Sequence, residues 1–212
     1  MISVVKRNGV VEPLNLDKLH RMVEFACDGL AGVSESAIEM NSNLQFYENI
    51  ETSDIQEILI RSANDLISLE APNYQYVAAR LLLFSYRKSV YKGHPDNPPP
   101  LIEHVKECIG KGVYDADLVN QYSEEEWSEL HDFIDWDRDY LFTYAGLRQV
   151  VDKYLVQDRS TGEVFETPQQ MYMLISATLF QNYPPESRLD YVKRYYNAIS
   201  KHRINIPTPV MA

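Results

Sequence analysis

The apolar positions are spaced for helices almost throughout, with two places where they alternate instead. Val4-Val5 and Val10-Val11 flank Asn8-Gly9, the strongest local signal for a hairpin, and a type I′ turn with two central residues is expected there. Asn15 then stands as N-cap to a helix carrying Leu16, Leu19, Val23 and Ala26, which Gly29 should stop. Ser34 to Tyr47 shows a weaker helical pattern through Ile38, Leu44 and Tyr47. Ser53-Asp54-Ile55-Gln56 fits a capping box opening a helix with Ile55, Ile58, Leu59, Leu66 and Ile67 on one face, ending near Glu70, with Thr52 just outside its start. Pro72 begins a longer helix whose stripe of Tyr74, Val77, Leu81 and Phe84 runs on to Lys88.

Gly93 to Pro100 reads GHPDNPPP, and proline at this density stops any helix or central strand. A domain boundary is therefore expected, with domains at 1–92 and 101–212 joined by a linker at 93–100. Beyond it the pattern predicts helices over Leu101–Ile109, from a capping box at Ser123–Glu126, over Tyr140–Val150, over Met171–Phe180 behind Thr167-Pro168, and from Ser187 to about His202. Tyr154 to Glu166 alternates around Ser160-Thr161-Gly162 as a second hairpin, and Ile204 to Ile206 reads as a strand start. The fold class is mainly α: a hairpin-capped four-helix module, then a helical lead-in with one further hairpin.

Composition narrows the functions available. The 212 residues are 45% hydrophobic, enough for a sizeable core, and a net charge of -11 argues against a general nucleic-acid binder. Residues 1–94 hold nine cations against twelve carboxylates, the remainder eleven against nineteen, so an anion site is better tolerated in the first half. Cys27 and Cys108 have neither zinc nor disulfide spacing and read as buried reduced thiols. His20, His94, His104, His131 and His202 share no metal-ligand spacing. No signal sequence or membrane-length apolar run is seen, so a cytoplasmic protein is expected.

The candidate chemistry is the basic cluster Lys6, Arg7 and Lys18 beside a helix N-terminus, with Lys88. Cations and backbone N–H groups at a helix start are what phosphate oxygens require. Micromolar binding of a nucleoside triphosphate takes about 8 kcal/mol, and three or four charge-assisted hydrogen bonds of about 1.5–3 kcal/mol each, with base stacking, supply it. On periodicity alone a solvated basic face is the competing reading.

Several separated motifs in order, VVKRNGVVEPLNLDKLHR, ETSDIQEILIRSANDLIS, PNYQYVAARLLLFSYRK, DRDYLFTYAGLRQV, KYLVQDRSTGEVFETPQ, RLDYVKRYYNAIS and the closing IPTPVM, resemble the large subunit of class I aerobic ribonucleotide reductase, starting with its ATP-cone. The resemblance covers the whole chain. It implies an allosteric switch in which ATP permits activity and dATP stops it by changing how large and small subunits associate. Carried over by motif, Val4, Lys6 and the Glu12 to Lys18 stretch line the nucleotide site, with Arg7, Lys18 and Lys88 toward the phosphates. Glu12 and Asn15 face the adenine, Thr52 closes the pocket, and Phe84 is an apolar wall. Gln56 stands near the ribose where relatives often have His. Thr208, in the PTP motif, resembles a residue that touches the substrate diphosphate.

The implied ligands are ATP or dATP with Mg as effector. The implied partners are the radical-generating small subunit and a second large subunit, with no nucleic acid and no membrane. The family's redox cysteines match neither Cys27 nor Cys108, so the chain is expected to be a non-catalytic fragment of an oxidoreductase, truncated before the α/β barrel. Two rivals are a degenerate cone serving only as a helical docking surface, and a stand-alone cone regulator of transcription, which the lack of clustered cysteines disfavours.

Overall fold

A computed structural model describes residues 2–6 and 9–207. The chain falls into two compact units, residues 1–85 with 142–147, and residues 86–141 with 148–212. The division lies within a helix, after Ser85 and ahead of the Gly93–Pro100 stretch. Among the described residues the architecture is nine α-helices with one small sheet, mainly α as the periodicity predicts.

The first unit carries that sheet. Strand β1 (Ser3–Val5) is central, antiparallel to β2 (Val11–Pro13) and parallel to β3 (Ile50–Glu51). The hairpin forms where Asn8-Gly9 places it, but in a different register from the one a two-residue turn gives. Val4 pairs with Glu12 and Val5 with Val11, Lys6 N–H donates to the Val10 carbonyl at 2.8 Å, and Gly9 N–H donates to the Lys6 carbonyl at 2.8 Å. Three residues thus separate Lys6 from Val10, with Gly9 at φ +79° taking the left-handed position of a three-residue loop. Burial decides the register: Val4 is 2% exposed and must face the core, and a slip of one residue would turn the partner strand over. Strand β3 was not expected, since two residues are too few to show alternation.

Helix α1 (Leu16–Cys27) starts as the sequence predicts, with Asn15 Oδ1 accepting from Lys18 N–H at 3.0 Å. Leu19, Val23 and Ala26 are buried along one face. Helix α2 (Glu35–Asn43) is capped by Ser34. Helix α3 (Thr52–Asp65) begins directly out of β3, so the capping box expected at Ser53 does not form. Ser53 Oγ donates to Glu51 at 3.2 Å instead, and the Gln56 amide donates to the Leu81 carbonyl at 2.8 Å. The helix ends at Asp65, short of Glu70, and leaves Leu69 97% exposed.

Helix α4 (Tyr74–Val90) is buried on more than its predicted stripe: Ala78, Ala79, Leu82 and Leu83 join Tyr74, Val77 and Leu81 inside. It is the central helix of the first unit rather than an amphipathic cover. The cation buried at its end is Arg87, whereas Lys88 is exposed, which corrects the expectation that Lys88 closes the apolar face.

The second unit contains the last turn of α4, α5 (Leu101–Gly110), α6 (Glu124–Phe133), the end of α7 (Tyr144–Lys153), α8 (Pro168–Phe180) and α9 (Pro185–Ser200). The predicted caps appear: Ser123 and Glu126 exchange side chain to backbone bonds at 2.8 and 3.2 Å, and Thr167 N–H donates to Gln170 Oε1 at 2.9 Å ahead of Pro168. Helix α8 is buried nearly all round, as its sequence suggests. The second hairpin is reduced to one bridge, Gln157 to Val164. Asp158 takes the Ser160 N–H and hydroxyl at 2.8 and 2.6 Å, closing the turn by side chain rather than by a strand ladder. No strand forms at Ile204 to Ile206.

At the centre of this unit Arg87, 6% exposed, pairs with Asp139, 1% exposed, at 3.0 Å. Arg87 also donates to Trp136 O and the Tyr140 hydroxyl. The other Asp139 oxygen accepts from Gln169 at 3.0 Å, and Gln169 in turn accepts from the Tyr196 hydroxyl at 2.8 Å. Removing one partner strands a buried charge, so Arg87→Met is expected to cost about 3–5 kcal/mol in urea unfolding. Gly9→Ala, forced to keep a positive φ, should lose about 1 kcal/mol in the same measurement.

Candidate nucleotide site

The register of β1 brings Lys6 and Glu12 together beside the capped start of α1. Because Val4 pairs with Glu12, the Glu12 side chain lies on the face that also carries Lys6, and the two form an ion pair at 2.9 Å. A type I′ turn would have put Glu12 opposite Val5, on the other face. The hydrogen bond from Lys6 holds the Glu12 carboxyl below the usual carboxylate range, and the charges of Lys6 and Lys18 add to it. Lys18 is therefore close enough to act on the same carboxylate. It is exposed on the first turn of α1, where its own N–H is held by Asn15.

On the opposite edge, Val4 pairs with Ile50 and Val5 with Glu51, so Thr52, the next residue, follows alongside Lys6 as α3 starts. Gln56 stands one turn further on, and its bond to the Leu81 carbonyl ties α3 to α4 one turn before the half-buried Phe84. Val4 itself is buried beneath this end. Lys6, Glu12, Asn15, Lys18, Thr52, Gln56 and Phe84 thus lie on or next to five elements of one unit: β1, β2, α1, α3 and α4.

Lys88 belongs to the second unit, exposed on the last turn of α4. Arg7 and Thr208 lie outside the described residues. No helix among the described residues is long and apolar enough to cross a membrane.

Comparison with known proteins finds relatives along the whole chain. Residues 2–89 match the ATP cone domain family, and residues 140–212 match the family described as ribonucleotide reductase, all-alpha domain. The chain is 51% identical over 211 residues to the ribonucleoside-diphosphate reductase subunit alpha of Haemophilus influenzae, and 50% identical to subunit alpha of ribonucleoside-diphosphate reductase 1 of Escherichia coli. It is 40% identical over 214 residues to the subunit alpha of enterobacteria phage T4. Each alignment takes in 100% of this chain and 28% of the relative. The chain belongs to the ribonucleotide reductase large-subunit family. It spans little more than a quarter of the length of these relatives, as a counterpart of their N-terminal region.

Sequence alone missed two relationships in this chain. One is the partnership of Lys6 with Glu12, which depends on a strand register that turn chemistry suggests wrongly. The other is the Gln56 link to α4, since a glutamine three residues after a serine reads most simply as a capping box. The buried Arg87 lies beside the flagged Lys88, and only a longer contact with Trp136 and Asp139, 49 and 52 residues away, tells the two cations apart.

If Lys6 sets the ionisation of Glu12, Lys6→Met should raise the Glu12 carboxyl toward its ordinary value. A carboxyl-carbon NMR titration would show this, and an unmoved midpoint would sink the pairing.

Proposed function

We propose that the cone binds ATP or dATP and sets the overall activity of a ribonucleoside-diphosphate reductase of which this chain is the N-terminal part. The observation that carries the reading is the meeting of Lys6, Glu12 and Lys18 at the capped start of α1, inside a segment that matches the ATP cone family. Lys6 and Lys18 offer charge-assisted donors to phosphate oxygens at a helix N-terminus, and the family motif adds Arg7 and Lys88 to that role. Three or four such contacts are enough for micromolar affinity.

The remaining groups suit the base and sugar. Glu12 accepts from the adenine amino group. Asn15 spends its Oδ1 on the Lys18 N–H and keeps its amide donor for a ring nitrogen. Gln56 spends its amide on Leu81 and keeps Oε1 to accept from a ribose hydroxyl, which bears on how ATP is told from dATP. Thr52 closes the site at the start of α3, and Phe84 supplies an apolar wall. A divalent magnesium ion would arrive with the triphosphate and be held mainly by its oxygens.

The reduction of ribonucleoside diphosphates to deoxyribonucleotides, the radical-generating small subunit, pairing with a second large subunit, Thr208 at the substrate diphosphate and a cytoplasmic setting complete the reading. Cys27 and Cys108 are both buried, and burial pushes each thiol up to about 11, which leaves little nucleophilic thiolate at neutral pH.

A second reading takes the first unit as a docking surface alone, favoured by Leu44 at 86% and Met40 at 71% exposure. Calorimetry separates the two. ATP and dATP should bind the wild-type chain, and Lys18→Ala or Lys88→Ala should weaken binding about 10- to 100-fold, the worth of one charge-assisted contact. Equal binding by variants and wild type removes the site assignment. No binding at all, with small-subunit association retained, selects the docking role.

A further inference from the structure

Away from the cone, the second unit buries a carboxylate that has no cation to balance it. Glu166 is 3% exposed and sits between the Gln157–Val164 bridge and the cap of α8. Its Oε1 accepts from Val156 N–H at 2.9 Å and its Oε2 accepts from the Tyr114 hydroxyl. No ion pair reaches it among the described residues. The Tyr114 oxygen is 3.3 Å from His104 Nε2, which is also 3.7 Å from Cys108 Sγ. His104 and Cys108 line a cavity of about 470 Å³ bordered by the end of α4, the proline stretch, α5 and residues 163–165.

Lys92, Glu103, Glu107, Lys111 and Glu163 line the cavity. On α5 and the residue after it, Glu107 and Lys111 pair at 3.5 Å. Lys111 also meets Glu163 at 3.3 Å, and Lys92, beyond α4, meets Glu107 at 2.6 Å. These lysines are thus engaged by other carboxylates, and the Tyr114 ring stands edge-on to His104.

We propose that Glu166, Tyr114 and His104 form a reversible proton store, loaded from the cavity and emptied back into it with no heavy atom moving. With Glu166 ionised, the Tyr114 O–H donates to Oε2 and His104 carries its proton on Nε2, donating to the Tyr114 oxygen. Loading passes the Tyr114 proton to Oε2, the Nε2 proton to Tyr114, and one proton from the cavity to His104 Nδ1. One proton enters, one carboxylate becomes a carboxylic acid, and the neutral imidazole changes tautomer. Every hydrogen bond survives with its direction reversed: the acid donates to Tyr114, and Tyr114 donates to Nε2. Burial suits both ends of the relay, pushing Glu166 up to about 7 and His104 down to about 4, so the ring stays neutral while the carboxyl titrates.

The sign of the linkage follows. A carboxyl raised on folding adds stability fully below its unfolded value of 4.5 and loses it as pH rises toward about 7. Glu166→Gln imitates the loaded acid, with an amide that donates to Tyr114 and an oxygen that accepts from Val156. On the 212-residue chain, the unfolding constant of wild type relative to Glu166→Gln should climb roughly tenfold per pH unit between about pH 5 and 7, and level off above. Carboxyl-carbon NMR of the wild type should show Glu166 titrating near neutrality. Tyr114→Phe, which keeps the ring and deletes the donor to the carboxylate, should move that midpoint higher. An ordinary carboxyl midpoint, parallel stability profiles for wild type and Glu166→Gln, or a midpoint unmoved in Tyr114→Phe would each overturn the proposal.

Discussion

The pairing of three-residue β1 with a strand on each side is the constraint on which the cone depends. One edge fixes Glu12 and, through the short turn at Pro13-Leu14, the start of α1; the other fixes Thr52 and the start of α3. Two helix N-termini are thereby anchored to the same strand, and Lys6 leaves that strand between them. Because side chains on a strand alternate, the register is a yes-or-no choice about which face each group occupies. Val4, inserted into the core, makes the choice, and the ion pair of Lys6 with Glu12 is its consequence.

The two units treat charge in opposite ways. In the cone the cations stay at the surface, where a polyanion can reach them and where water screens their repulsion. The second unit, beside its surface ion pairs, also takes charge inside and satisfies it there: Arg87 and Asp139 balance each other, Gln169 and Tyr196 extend the network, and the half-buried pair of Glu126 with Arg188 ties α6 to α9. Such buried pairs hold a fixed geometry rather than adding much net stability, because desolvation offsets most of their attraction. Glu166 departs from the pattern, being buried with neutral partners alone, and for that reason it answers to pH rather than to a countercharge.

Membership of the reductase family gives these features a setting. The Lys6 and Glu12 pair is half-buried at the edge of the sheet, so parting it costs little.

Much of this protein was legible in the residues themselves. Helix placement, the caps at Asn15, Ser123 and Thr167, the first hairpin, the all-round burial of α8 and the family motifs all follow from local chemistry or from order along the chain. Local rules suffice there because a cap or an apolar stripe involves neighbours within about one helical turn. The rest was decided across distance. Which face Glu12 occupies, why Gln56 bonds Leu81 rather than capping a helix, why Arg87 is buried beside an exposed Lys88, and how Glu166 comes to lie against Tyr114 depend on residues 25 to 52 positions away, or on a register only packing can set. The free energy of burial belongs to the assembled core and not to any short stretch of chain, so only the tertiary structure could choose among partners that the sequence left equally available.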